Sequence, residues 1–142
     1  MFKINKKVEY ALMALRHMHE KKAGELASVK EICERYGSPF DVTSRSMQKM
    51  TSGGLLKSEK GAHGGYSIST DLTEVNFLEF MEMVVEPVTL VNCVSSETSC
   101  ALAGSCNVIT PMINLNEKMR SFFSTISLQE LVDSETAKEK VV

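Results

Sequence analysis

Apolar residues recur at helical spacing from the start of the chain. Val8, Ala11, Leu12, Leu15 and Met18 share one face of a helix that Asn5 can cap and that runs to about Glu20, where Lys21-Lys-Ala-Gly24 ends it. A second helix opens on Ser28-Val-Lys-Glu31, the spacing at which a capping serine and a glutamate can each satisfy a free backbone N–H of the first turn. Val29, Ile32, Cys33 and Tyr36 follow at helical intervals, and Gly37 supplies the stop. Ser38-Pro39-Phe40-Asp41 then reads as an N-cap, a proline in the first turn and an acid near the positive end of the dipole. The third helix is predicted to reach about Met50, with Phe40, Thr43, Met47 and Met50 inward and Asp41, Ser44, Arg45 and Gln48 outward.

After Gly53-Gly54 the period changes. Leu55–Ser58 and Tyr66–Ser69 read as two strands, and the loop Glu59-Lys-Gly-Ala-His-Gly-Gly65 between them carries three glycines suited to positive φ or close backbone approach. Thr73 or Asn76 caps a fourth helix, Asn76 and Glu79 repeat the capping-box spacing, and Pro87 closes the element. From Asn92 to Asn107 the chain loses periodicity and reads as a loop. A long helix resumes after Pro111 with Met112, Ile113, Met119, Phe122, Phe123 and Ile126, and beyond Ser127-Leu-Gln-Glu-Leu131 a charged tail is expected to fray.

Two short helices joined by a glycine turn and followed by a two-stranded wing predict a mainly α winged helix-turn-helix domain with an appended long helix. That helix has little core of its own and is expected to pair with a second copy, giving a homodimer. The expected division is residues 1–88 for the winged domain, 89–110 for a cysteine loop, 111–132 for a dimerisation helix with a short terminal helix, and 133–142 for a flexible tail. Charge agrees with a nucleic-acid role. The net charge of −2 over 142 residues conceals a balance of +5 up to Tyr66 (12 Lys/Arg against 7 Asp/Glu) and −7 after it (4 against 11). A basic first half is suited to a polyanion. The longest near-apolar run, Phe77 to Val91, is broken by Glu79, Glu82, Glu86 and Pro87, so no membrane span is expected. The basic start has no apolar run or cleavage site behind it, which points to no signal peptide and to the cytoplasm. No nucleophile–base pair or phosphate loop suggests an enzyme.

Thiols stay reduced in that compartment, so the four cysteines read as ligands, reactive thiols or core residues. Cys33 falls on the inward face of the second helix and is expected in the core. Cys93, Cys100 and Cys106 lie in one loop with six and five residues between them. Thiolates are soft ligands for iron–sulfur clusters or zinc. Structural zinc usually draws on Cys-x₂₋₄-Cys pairs, whereas these gaps suit a larger object and leave one position for a non-cysteine group. On spacing alone, zinc, a disulfide switch and plain loop cysteines remain alternatives.

With these pieces in place, the chain resembles the IscR/NsrR-type family of bacterial iron–sulfur regulators over about Phe2 to Val132. The matching segments are Phe2-Lys-Ile-Asn and Tyr10-Ala-Leu, the wing Lys60-Gly-Ala-His-Gly-Gly-Tyr66, the Cys93…Cys100…Cys106 loop, and Ile126-Ser-Leu-Gln-Glu-Leu-Val132. The resemblance implies a homodimer crossed through the long helix and a [2Fe–2S] or [4Fe–4S] cluster on the three cysteines near the interface. Members of the IscR kind carry a ligating His where Ile109 stands, while members of the NsrR kind use an acid of the first helix across the dimer. Glu9 matches that second position and is the candidate fourth ligand, its alternative being an exposed first-turn acid. His17 and His19 are read as helix-surface residues. The expected DNA face comprises Ser38, Asp41, Ser44, Arg45, Gln48 and Lys49 of the third helix and Lys60 and His63 of the wing. Family members often have Glu-Gln at Ser44-Arg45 and Arg at Lys60, so the preferred operator is expected to differ. The implied function is a promoter-binding regulator, a repressor, controlled by the cluster; its alternative is a cluster-free regulator in which Cys93 and Cys106 pair on oxidation.

Overall fold

The computed structural model describes residues 3–94 and 100–134. It is mainly helical: α1 (Lys6–His19), α2 (Val29–Tyr36), α3 (Phe40–Ser52), β1 (Leu56–Glu59), β2 (Gly65–Ile68), α4 (Phe77–Val84), α5 (Ile109–Ser124) and α6 (Leu128–Asp133), with a 3₁₀ turn at Asn92–Val94. This is the winged helix-turn-helix order expected from the sequence.

The caps explain most boundaries. Asn5 accepts from Lys7 N, Ser28 from Glu31 N, and Asn76 and Glu79 form the full reciprocal box. Gly37 ends α2 in the left-handed region at φ 69°. Two expectations fail at the next turn. Pro39, not Ser38, is the N-cap of α3, with no side-chain cap bond. Ser38 is only 6% exposed because its hydroxyl turns inward, accepting from Thr43 Oγ1 at 2.9 Å and donating to Cys33 Sγ at 3.6 Å. Phe40, expected inside, is 56% exposed, since Thr43, Ser46, Met47 and Met50 fill the inner face of α3 without it. Cys33 is half-buried rather than fully enclosed.

The wing is one antiparallel pair in the register Leu56↔Ile68 to Glu59↔Gly65. It does not stand alone. Ala27, just before α2, exchanges both backbone bonds with Tyr66 at 2.9 and 2.8 Å, tying the wing to the helix-turn-helix. Gly61 takes φ 115° in the hairpin loop, and a Cβ at Gly65 would sit 2.8 Å from the Ala27 carbonyl, so each glycine answers a distinct local demand.

α5 begins two residues before Pro111, which sits in the first turn where its missing N–H has no helical partner to lose. The long helix and α6 also belong to the winged core more fully than the sequence suggested. Phe123 packs edge-on against Phe77 at 5.6 Å, Leu128 and Val132 are buried, and Phe77 N and Leu128 N bond to the Ile126 and Val75 carbonyls. Among the described residues nothing covers the other face of α5: Leu115 and Phe122 are 48% and 62% exposed, and the N-cap Val108 is 51% exposed.

Candidate DNA-binding face and cysteine segment

α3 is held by one buried face, and its other face is presented outward. Opposite Thr43, Met47 and Met50 lie Asp41, Arg45, Gln48 and Lys49, all exposed, with Ser44 half-buried and within 3.5 Å of Gln48 Nε2. Exposed side chains spaced along one helical face are what a duplex groove can accept. Ser38 is the exception among the residues predicted to face DNA, because its hydroxyl is committed to the turn. Lys49 is exposed, but its ammonium also donates to the Val84 carbonyl at 2.9 Å, at the C-terminal end of α4. Lys60 and His63 are exposed at the wing tip.

Behind this face lies a polar link that sequence periodicity did not reveal. His17, taken for a surface residue, is 8% exposed. Its Nδ1 is 2.9 Å from Tyr36 Oη and its Nε2 is 2.7 Å from Glu31 Oε1, which also pairs with Lys21 at 2.7 Å. Burial pushes the Glu31 carboxyl upward, but the Lys21 and His17 hydrogen bonds outweigh it and hold its pKa below the ordinary value. Glu31 therefore serves α1 rather than returning a capping bond to Ser28. The available signal was a polar residue inside an otherwise apolar stripe, between Ala14, Leu15 and Met18. His19 is the surface residue expected, 3.0 Å from Asp133 Oδ1.

The cysteine segment leaves α4 along a pinned strap. Arg120 of α5 bonds Glu82 and the Val88 carbonyl, and the buried Asn116 Oδ1 accepts from Leu90 N at 2.9 Å. Cys93 follows on the 3₁₀ turn and is exposed, as is Cys100, while Cys106 is half-buried just ahead of α5; all three are free thiols. Residues 95–99 lie outside the described residues. Three soft sulfur donors suit an iron–sulfur cluster in chemistry. Among the described residues of the single chain, however, no three His, Cys, Asp or Glu side chains stand close enough to share a metal ion. Glu9 is partly exposed and bonded at 2.6 Å to Lys6, whose ammonium it holds above its ordinary pKa. No helix among the described residues is long and apolar enough to cross a membrane.

Comparison with known proteins places this geometry. Residues 4–134 match the model of the Rrf2 family, described as iron-dependent transcriptional regulator. The chain is similar to the HTH-type transcriptional regulator IscR of Photorhabdus laumondii, 26% identical over 133 residues that cover 94% of this chain and 80% of that protein. Its fold matches CymR (YrzC), the global cysteine regulator of B. subtilis, with a TM-score of 0.72 at 19% identity over 96% of this chain and all of the other. It also matches T. potens IscR, with a TM-score of 0.68 at 18% identity over 99% of this chain and 94% of the other.

Proposed function

The chain belongs to the Rrf2 family of transcriptional regulators, and from that premise we propose that it is a homodimeric repressor whose grip on a pseudo-palindromic operator is set by an iron–sulfur cluster. The observation that carries the DNA half is the outward stripe of α3, with Arg45, Gln48 and Lys49 exposed beside the Lys60–His63 wing tip. In this reading α3 enters the major groove, Ser44, Arg45 and Gln48 meet base edges, Asp41 faces the groove, and Lys49, Lys60 and His63 meet backbone or minor groove. A two-fold dimer presents the same helix to each half-site.

Cys93, Cys100 and Cys106 would hold the cluster, with the partner subunit's Glu9 completing it. When bound, such a group supplies redox-, iron- and nitric-oxide-sensitive chemistry. The chain's own part is mechanical. The strap from Val84 to Leu90 links the cysteines to α4 and, through the Lys49–Val84 bond, to α3. The exposure of Cys93, with Cys106 half-buried in the same segment, leaves a second reading in which Cys93 and Cys106 form a disulfide on oxidation. The cytoplasm is the compartment that both readings require.

Anaerobic purification with iron and sulfide counted separates the two. The cluster reading expects visible absorption that is abolished by Cys93→Ala, Cys100→Ala or Cys106→Ala, retained by Cys33→Ala, and shorter-lived in air for Glu9→Ala. A colourless protein with a reversible Cys93–Cys106 disulfide supports the switch. For DNA, Arg45→Ala is expected to lose about 1–3 kcal/mol and relax preference at one position per half-site in footprinting and mobility shifts. Equal binding of every sequence by parent and variant would remove α3 as the reader.

A further inference from the structure

Neither Lys3 nor Lys7 is among the residues predicted to face DNA, yet the fold brings the start of α1 beside the outward face of α3. Val8, Ala11 and Leu15 of α1 and Met47 and Met50 of α3 share the buried core, so the two helices hold a fixed relation. Where they diverge, an open cleft of about 310 Å³ is lined by Lys7, Asp41, Arg45 and Lys49. A second, of about 510 Å³, is lined by Lys3, Lys7 and Lys49 against the strap Val85–Thr89. Lys7 and Lys49 stand on the ridge shared by both.

Among the described residues the cations here have no carboxylate partner, as is also true of Lys22, Arg35, Lys57 and Lys60, but they alone are gathered on these two clefts. Lys6, Arg16, Lys21 and Lys30 each pair with a carboxylate. Among the described residues, Lys3, Lys7, Arg45 and Lys49 form no ion pair. The bond from Lys49 to the Val84 carbonyl uses one of its three donors. Across the two clefts these four cations face two acids, Asp41 and Glu86.

We propose that Lys3 and Lys7, with Lys49, form a backbone-phosphate shelf that fixes the register of α3 on a DNA duplex. A helix lying in the major groove leaves its flanks over the sugar–phosphate strands, and phosphate contacts set orientation without reading sequence. Open clefts rimmed by long solvated lysines suit a continuous polyanion better than one small phosphate, which would need an enclosing set of donors. The shelf rests on the reading of α3 as the groove helix. It also places the strap to the cysteines against the phosphate-contacting lysines, so that movement of Val85–Thr89 alters the shelf itself.

The fold supplies its own control. Lys6 and Lys7 are adjacent and equally charged, but Lys6 is tied to Glu9 and lines neither cleft. Mobility-shift salt series on operator and on unrelated duplex should show Lys7→Gln and Lys3→Gln weakening both duplexes alike. The slope of log affinity against log salt should flatten by about one unit for each phosphate no longer neutralised. In the cluster-free protein, where Glu9 is available to Lys6, Lys6→Gln should leave the slope unchanged, and circular dichroism melts should show all three variants folded. Equal losses for Lys6→Gln and Lys7→Gln would overturn the shelf, leaving only general charge. Should Lys7→Gln keep the parent slope while Arg45→Ala loses sequence preference, the shelf falls and the α3 reading stands. Should Lys7→Gln flatten the slope while Arg45→Ala keeps its preference, the lysines meet phosphate without setting α3 in a groove, and the shelf as proposed falls together with the groove assignment. Saturable micromolar binding of inorganic tripolyphosphate without DNA, abolished in Lys7→Gln, would overturn the duplex as occupant.

Discussion

At the scale of single residues, the His17 link determines how α2 is held. Its ring joins α1 to both ends of α2, through Glu31 in the first turn and Tyr36 in the last. His17→Ala leaves the Tyr36 hydroxyl and the Glu31 carboxylate short of a partner and opens a void. It is expected to lower stability by about 2 kcal/mol in urea unfolding without altering cysteine chemistry. Stability unchanged within about 0.5 kcal/mol would show the link to be incidental. Glu31 adds a pH signature. Its folded pKa lies below the ordinary 4.5, so its contribution is complete above that value and is lost as pH falls through the lower, folded one. Melting temperatures followed from about pH 5 down to pH 3 should therefore fall less steeply in Glu31→Gln than in the parent. An identical acid limb would assign acid unfolding to other carboxylates.

At the scale of elements, the sequence was most legible where a rule is local. Helical spacing, the Asn5, Ser28 and Asn76 caps and the Gly37 stop were all visible in short windows, and each stands in the fold. Legibility ended where a side chain chose between a local and a distant partner. Ser38 could cap α3, but buried Thr43 and half-buried Cys33 claimed its hydroxyl. Glu31 could close a capping box, but His17, fourteen residues back, took it. The clefts by Lys7 were invisible for the same reason, being made by segments around Lys7, Lys49 and Val84 that are far apart in sequence. The wing glycines show the same boundary, since their presence was plain but the need of Gly65 depends on Ala27, far from it in sequence. Gly65→Ala must push the Ala27–Tyr66 bridge apart at a predicted loss of about 1–3 kcal/mol. Amide exchange should accelerate at Ala27 and Tyr66, and DNA affinity should fall with the misplaced wing. Protection retained at Tyr66 in Gly65→Ala would mean that the bridge does not anchor the wing.

At the scale of the whole molecule, α5 divides its apolar residues between two tasks that sequence periodicity could not separate. Phe123 is 9% exposed against Phe77 and belongs to the chain's own core, while its neighbour Phe122 is 62% exposed. Leu115 and Phe122 are seven residues apart, so they fall on nearly one line along the helix, the spacing with which paired helices mesh. Reading that line as the seam of a homodimer separates folding from assembly in a way that two adjacent substitutions can test. Phe123→Ala removes a buried ring and is expected to lower unfolding free energy by about 3–5 kcal/mol. Phe122→Glu places a charge where the side chain already meets water in the single chain. It should keep its melting temperature at low protein concentration yet sediment as a monomer. With the two half-sites no longer bound by one particle, affinity for the full operator should drop by about 10²–10⁴-fold, while binding to an isolated half-site should stay near the parent protomer's. A Phe122→Glu protein that still sediments as a dimer and protects both half-sites would move the seam off this face of α5.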